Sequence, residues 1–472
     1  MSASTTKPSS SSKCFRIKET VSQQFPGEPF TLSVTESTIE RIIAPARNIL
    51  GSLRLPGDKS ISHRYALLGG LAQGTTRLTN FSTGADCASS LTCVEALGAK
   101  VTRTADAVTG KINNIEIEGV AGTFRPTNKP LDCGNSGSTM RMLSGLLAPQ
   151  RGTFTLIGDK SLSRRPMERV RKPLAQMGAQ IDLIEDHAPV TIHGAQLQAI
   201  DYTTPVPSAQ VKSAVLFAGL QTSGTTTIRE AVRTRDHSEL ALRGFGAEVT
   251  RTLESVSICG PQQIHAIQAA VPGDISSAAF FLCAAALFPE SNLIFDSLGL
   301  NPTRATLLDA LTALGAHIGV LNLEEKNGEL VGTVQVNAPR DGLTGTTISG
   351  TLAAQLIDEL PVLAAIGPYT KNGIRIRDAK ELRVKESDRI ALVAENLRAM
   401  GAEVIEFEDG LDVPGGQQLH AAEINSGGDH RIAMAFSVAA LRASGQTLIR
   451  GAESAAISFP EFFDLLDQVT ER

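Results

Sequence analysis

The stretch Pro56-Gly57-Asp58-Lys59-Ser60-Ile61-Ser62-His63-Arg64 decides how the chain is read. Pro56 and Gly57 end a short apolar strand over 51–55. The run Tyr65-Ala66-Leu67-Leu68-Gly69-Gly70-Leu71-Ala72 then begins a buried helix. Lys59, Ser60, His63 and Arg64 therefore fall at or just inside a helix start. There, unpaired backbone N–H groups and the positive end of the dipole favour an anion. The dipole contributes about 0.3–1 kcal/mol, so the two cations and the hydroxyl must supply the rest. A solvated basic turn would look the same in isolation. Repetition along the chain separates the two readings.

Six polar, often glycine-led turns each run into a small-residue apolar helix, beginning at Gly57, Gly134, Ser208, Gly273, Ile357 and Gly428. A second marker interleaves with them: a large apolar residue, Gly-Ala, any residue, then Val or Ile. It reads Leu97-Gly98-Ala99-Lys100-Val101, Met177-Gly178-Ala179-Gln180-Ile181, Phe245-Gly246-Ala247-Glu248-Val249, Leu314-Gly315-Ala316-His317-Ile318 and Met400-Gly401-Ala402-Glu403-Val404. Each copy follows an amphipathic helix, and glycine caps that helix before a strand. Each unit thus predicts strand, buried helix, strand, amphipathic helix, Gly-Ala turn and strand pair. Turn-born helices such as Phe280-Phe281-Leu282-Cys283-Ala284-Ala285-Ala286-Leu287 are apolar all round, hence buried.

Six units suggest two lobes of three. The sixth unit lacks the Gly-Ala marker, and the segment before Leu55 holds spare strand-like material. An N-terminal strand is therefore expected to complete the C-terminal lobe. The expected organisation is a largely disordered extension over 1–40, an N-terminal lobe over 57–271, and a C-terminal lobe of 41–56 plus 272–472. Crossings near Pro56 and near Pro272-Gly273 would make a hinge, and a cleft between lobes is a common ligand site.

Composition narrows the function. A chain of 472 residues exceeds one core. Aromatics are scarce and Trp is absent, which leaves little for base stacking. The net charge of −5 argues against a general nucleic-acid binder and leaves room for a local cationic pocket. The six cysteines show neither CxxC pairing nor zinc spacing, which fits reduced thiols in the cytoplasm. No apolar run reaches membrane-spanning length. The Ser- and Thr-rich first 40 residues lack an apolar secretory core, and Glu19 and Glu28 are unfavourable in a transit peptide. There is no GxxxxGK[ST], no GxGxxG after a strand and no zinc motif, so the chemistry is expected to need no cofactor and no metal.

Cations gather beside the turns. Arg141 follows Gly134-Asn135-Ser136-Gly137-Ser138-Thr139, and Gly158-Asp159-Lys160-Ser161 precedes Arg164-Arg165-Pro166-Met167. Ser208-Ala209-Gln210-Val211-Lys212 supplies hydroxyl, amide and ammonium. Arg235-Asp236-His237-Ser238-Glu239, Arg383-Val384-Lys385-Glu386-Ser387-Asp388-Arg389 and Asp429-His430-Arg431 complete the set. Arginine pairs bidentately with phosphate and carboxylate. One charge run is usually a solvated face; several meeting apolar helices at equivalent repeat positions point to a shared anion-binding pocket. Asp358 and Glu386 sit among these cations, where a carboxylate stays ionised and can serve as a base. A simple N-cap is the alternative for Asp358, and an exposed ion pair for Glu386.

On these motifs, from about Ile42 to the C-terminus, the chain resembles the enolpyruvyl transferase family, and within it the members acting on shikimate 3-phosphate. The resemblance implies an α/β (α+β) fold of two similar lobes. Each holds three βαβαββ units with buried parallel helices and sheets outside, an inside-out α/β barrel. It implies transfer of the enolpyruvyl group of phosphoenolpyruvate to the 5-hydroxyl of shikimate 3-phosphate, with release of phosphate. The step belongs to aromatic amino acid biosynthesis, in a cytoplasmic monomer that uses no cofactor, metal, nucleic acid or membrane. By position, Lys59 would touch both substrates, and Ser60, Arg64, Ser208, Ala209, Gln210 and Arg235 would hold shikimate 3-phosphate. Gln210 would also reach phosphoenolpyruvate. Gly137, Arg165, Arg389 and Arg431 match the phosphoenolpyruvate pocket, and Asn135 joins the substrate-binding set. Asp358 matches the base near the attacking hydroxyl, Lys385 its neighbour, and Glu386 a proton donor to the methylene carbon; these three and Lys59 form the catalytic set.

There are departures. Leu382 and Ile457 stand where one branch of the family has Trp and Lys, which removes a pocket cation. Gly137 lacks the methyl group that excludes the inhibitor glyphosate in some members. Ser208 to Lys212, Arg235 to Glu239 and Asn301-Pro302-Thr303-Arg304 resemble the family's second class. Two other functions compete: a sister UDP-N-acetylglucosamine enolpyruvyl transferase, which needs a loop cysteine that only Cys87 weakly matches, and a non-catalytic binder of phosphorylated metabolites.

Overall fold

A helix starts at each of the six turns: Lys59–Leu71, Gly137–Leu147, Ala209–Gly219, Ile275–Ala286, Leu360–Ile366 and His430–Ala440. Five carry a side-chain cap. Asp58, Ser136, Ser208, Asp274 and Asp429 each accept a backbone N–H two or three residues on. The Leu360–Ile366 helix differs: it opens on a proline, its cap position is Glu359, and no side chain caps it. Asp358 is thereby left free for other contacts.

These helices form the interior; all of Ile275–Ala286 is buried. Small residues let them touch. A Cβ on Gly145 would lie 2.0 Å from the Ala214 carbonyl oxygen, so Gly137–Leu147 and Ala209–Gly219 meet backbone to backbone. The amphipathic helices Ala85–Ala96, Glu168–Gln176, His237–Gly244, Thr306–Ala313 and Arg389–Ala399 end as the Gly-Ala marker requires. Gly98, Gly178, Gly246, Gly315 and Gly401 have φ from +85° to +107°. The alanine after each donates its N–H five residues back, at 2.8–3.0 Å. This is the Schellman arrangement, and its left-handed residue selects glycine. A sixth amphipathic helix, Phe462–Val469, has no such marker; it runs straight into Thr470–Glu471, which pairs with Asn48 and Ile49.

Among the described residues the strands form six sheets of three to five strands. In the second unit Leu131–Asp132 runs parallel to Thr153–Ile157, which pairs antiparallel with His187–His193, itself antiparallel to Gln180–Ile184. The third and fifth units repeat that order. The first and fourth exchange their entering strands. Gln268–Ala270 runs parallel to Thr75–Thr79 of the first unit, and Asn48–Arg54 runs parallel to Asn292–Gly299 of the fourth. Glu40–Ile43 completes the sixth sheet against Thr447–Arg450. Burial alternates along strands such as Ile112–Glu118, where Ile115 and Ile117 face the core and Glu116 and Glu118 face out.

The structure, a computed structural model, describes residues 39–107 and 109–472; the extension read over 1–40 lies outside these except for Ile39 and Glu40. Buried apolar residues form two clusters, one drawn from 61–271 and the other from 43–55 and 275–469. The chain passes between them twice, side by side. The Asp58 N–H donates to the Pro272 carbonyl at 2.7 Å, and the Asp274 N–H to Pro56 at 3.1 Å. Asp58 and Asp274 meet at this crossing near Arg304. Burial of the pair lifts Asp274 to about 6, while Arg304 and the helix N–H bring Asp58 to about 2. Among the described residues no helix is long and apolar enough to cross a membrane.

Two glycines test this architecture. Gly246→Ala has its nearest neighbour at 3.8 Å, so it meets only the left-handed backbone penalty of about 1–2 kcal/mol. Gly145→Ala forces two helices apart and is expected to cost about 3 kcal/mol. Urea unfolding should rank Gly145→Ala below Gly246→Ala.

Candidate active site

The residues assigned in the sequence to substrate or catalysis, Asn135 excepted, line one cleft between the two cores; it holds about 1400 Å³ of space, partly open to solvent. Helix starts supply most of them. Lys59 opens its helix and places Nζ 2.9 Å from Asp86 Oδ2. Burial opposes the charge on Lys59, but Asp86 outweighs it and holds the ammonium above its ordinary range. Ser208 and Ala209 stand at the start of the third buried helix. Gln210 accepts from Arg141 Nη1 at 2.6 Å and donates to Ser138 Oγ at 2.9 Å. Gly137 opens the second; a Cβ there would lie 3.3 Å from Arg141 Nη1 and 3.4 Å from Arg165 Nη1.

The two acids face the opposite core. Asp358 Oδ2 is 2.7 Å from Arg235 Nη2, and its Oδ1 is 3.5 Å from Lys385 Nζ and 3.6 Å from Arg389 Nη1. Burial alone would raise the Asp358 carboxyl. Lys385, Arg235, Arg431 and Arg389 together hold it well below the carboxylate range. Glu386 lies 2.5 Å from Arg389 Nη2 and 3.3 Å from Arg165 Nη1, and against burial these two arginines hold it well below that range too. Both acids are ionised. A proton donor at Glu386 must therefore first lose part of this cationic surround.

The ion pairs cross the cleft. Arg235–Asp358, Arg165–Glu386 and Arg169–Glu381 each join one core to the other, and Ser161 Oγ donates to the Glu386 carbonyl at 3.3 Å. Arg235 Nη2 and Arg389 Nη1 meet Asp358 as ion pairs, at 2.7 and 3.6 Å, without an aligned hydrogen bond. Arg431 is anchored on the Asp358 carbonyl at 2.6 Å and on Ser276 Oγ at 2.8 Å.

Some expectations change. Asn135 is set back from the cleft: its carbonyl and Oδ1 accept from Arg165 at 3.1 and 2.5 Å, so it orients that guanidinium. Arg64 lines the cleft, but Ser238, Ser60 and Ser213 already take three of its five N–H groups. Lys212, grouped with the cleft cations in the sequence, is buried beneath the cleft between Glu230 and Glu239. Cys87 is buried within the Ala85–Ala96 helix, and burial pushes its thiol up; it is no loop acid.

Sequence reading passed over Arg169 and Glu381. Arg169 lies in the first turn of the helix Glu168–Gln176, just after the extended Arg165. His430 also lines the cleft; burial and Lys59 bring it to about 3, so it is neutral, and neither ring nitrogen has a partner.

The fold is that of the enolpyruvyl transferases. It matches the enolpyruvyl transferase NikO from Streptomyces tendae with a TM-score of 0.72 at 19% identity, over 91% of this chain and 96% of that one. The solved EPSP synthase from Acinetobacter baumannii matches at 0.79 and 37% identity, over 92% and 98%. The 3-phosphoshikimate 1-carboxyvinyltransferase of Koribacter versatilis (strain Ellin345) is 64% identical over 430 residues, covering 91% of this chain and 99% of the relative. That of Solibacter usitatus (strain Ellin6076) is 52% identical over 436 residues, covering 92% and 100%. The model of the family described as EPSP synthase (3-phosphoshikimate 1-carboxyvinyltransferase) spans residues 43–466, and the chain belongs to this family.

The charge on Asp358 has a consequence for stability. Its folded pKa is depressed, so its contribution is complete above the unfolded value of 3.8 and is lost as pH falls through the folded value. Asp358→Asn should therefore lower the urea midpoint by a constant amount from pH 8 to about pH 5, with the gap closing only below about pH 4.

Proposed function

We propose that this protein transfers the enolpyruvyl group of phosphoenolpyruvate to the 5-hydroxyl of shikimate 3-phosphate and releases phosphate. One observation carries the reading: two ionised carboxylates of one core face arginines of the other across a cleft, where two anionic ligands would take those arginines over. Arg235, with Ser60, Arg64, Ser208 and Ala209, is assigned to shikimate 3-phosphate. Arg165, Arg389, Arg431 and Gly137 are assigned to phosphoenolpyruvate, while Lys59 and Gln210 lie between the two groups.

When the shikimate phosphate draws Arg235 away, Asp358 Oδ2 becomes the acceptor for the proton of the attacking hydroxyl; Lys385 keeps it ionised until then. When phosphoenolpyruvate neutralises Arg165 and Arg389, the charges that hold Glu386 down are offset, and its carboxyl rises toward the range where it can carry a proton. Glu386 then protonates the methylene carbon. Positive character appears on the neighbouring carbon and the sugar hydroxyl adds there; the adduct then loses phosphate from that carbon and a methyl proton back to the Glu386 carboxylate, which restores the C=CH2 group. Lys59 and the arginines meet the charge on the leaving group.

The lobes, 57–271 and 41–56 plus 272–472, close over both ligands by flexing at the paired crossings, and closure keeps water from the adduct. The reading includes a monomer in the cytoplasm. The cysteines support it: Cys87, Cys93, Cys133, Cys259 and Cys283 are all free thiols.

A coupled phosphate-release assay with both substrates tests the reaction. Asp358→Ala should lower kcat by about 10²–10⁴-fold, with shikimate 3-phosphate still bound in calorimetry. Folded protein that releases no phosphate, or that binds UDP-N-acetylglucosamine in preference, would overturn the reading.

A further inference from the structure

Lys212 is the one cation of the buried-helix starts that turns away from the cleft. Its residue is 1% exposed. Nζ lies 2.9 Å from Glu230 Oε2, 2.9 Å from Glu239 Oε1 and 3.4 Å from the Thr234 carbonyl oxygen. These three partners bracket one segment. Glu230 follows the strand Gly224–Arg229, Thr234 immediately precedes Arg235, and Glu239 sits in the first turn of the helix His237–Gly244. Glu230 also accepts from the Thr234 N–H at 3.3 Å and from its hydroxyl. The loop that carries Arg235 is thus tied on both sides to a single ammonium, and Arg235 enters the cleft from that loop.

A lysine this deep is an expensive way to hold a loop if stability were all it served, because apolar replacements of buried ion pairs are often neutral or better. What the ammonium supplies is a point charge reached from three chain positions at once, which fixes the loop backbone to within a bond length. A second tie acts on the same helix: Asp236, next to Arg235, accepts from Asn301 Nδ2 at 2.8 Å and from Thr303 Oγ1 at 3.2 Å. The three stretches 208–212, 235–239 and 301–304 are therefore one connected support beneath Arg235.

We infer that Lys212 is a positioning residue for shikimate 3-phosphate: it fixes the loop from which Arg235 reaches Asp358 here and the ligand phosphate once that is bound. The inference depends on the assignment of Arg235 above. It predicts that Lys212 acts through Arg235 and, by way of Ser213 and Ser238, through Arg64, so its effect falls on shikimate 3-phosphate and spares phosphoenolpyruvate.

The test measures calorimetric Kd for shikimate 3-phosphate and KM for both substrates, on the full chain. Lys212→Met and Arg235→Ala should each weaken shikimate 3-phosphate by about 10–100-fold, with the KM for phosphoenolpyruvate nearly unchanged. The double variant should lose less than the two single losses combined. The combined Lys212→Met, Glu230→Gln, Glu239→Gln variant leaves no buried charge unpaired; it should regain thermal stability but not affinity. Should Lys212→Met fail to fold, this neutral variant, with and without Arg235→Ala, carries the same comparison. Additive losses, or affinity returning together with thermal stability, would overturn the role of Lys212 while leaving Arg235 in place. Unchanged affinity in Arg235→Ala would remove the assignment of Arg235, and the inference with it.

Discussion

Asp358 and Glu386 hold the site together, because each is a half-buried anion, its side chain 16% and 18% exposed respectively, whose nearest cations come from both sides of a cleft. Two carboxylates out of water are tolerable only with such partners, and deleting one partner of a buried pair costs about 3–5 kcal/mol. Exchanging one anionic partner for another is different. An arginine that leaves Glu386 for a substrate carboxylate keeps a charge-assisted hydrogen bond throughout. The protein's acids can thus stand in for the substrates' anions, and arriving substrates release those acids for proton transfer. In this way one set of contacts accounts for binding, for the ionisation state of the base, and for an approach of the two cores.

The repeat makes that concentration of charge possible. Six buried helices open toward the middle of the molecule. Five spend a short polar side chain on their own N–H groups. The fifth unit is the exception, and the acid that could have been its cap became the centre of the cation cluster instead. A departure from the local rule at one of six equivalent positions marks a place where something other than folding sets the residue.

The sequence carried much of this. Gly-Ala markers located five helix ends because the Schellman geometry admits little but glycine, and the polar turns located six helix starts. Convergence of Lys59, Arg165, Arg235, Asp358 and Arg431 followed from their equivalent places in the repeat. Direction was not legible. Lys212 and Arg141 lie in the same part of their helices, but Lys212 is one residue nearer its cap, and that offset of about 100° sends one side chain to buried carboxylates and the other to the cleft. Asn135 shares a motif with Gly137 but faces Arg165 from behind. The exchange of strands between the first and fourth sheets was also hidden, since no local pattern says which of two equivalent edges a strand will join. Ionisation was read correctly in kind, but the depth to which Arg165 and Arg389 hold Glu386 down required their distances.

The central claim is that substrate anions replace Asp358 and Glu386 at their arginines. A crystal structure with shikimate 3-phosphate and an unreactive phosphoenolpyruvate analogue tests it most directly. The account predicts Arg235 on the shikimate phosphate and Arg165 on the analogue's anionic groups, with both acids released toward the reacting atoms. Ligands bound while Arg235–Asp358 and Arg165–Glu386 stay intact would contradict it.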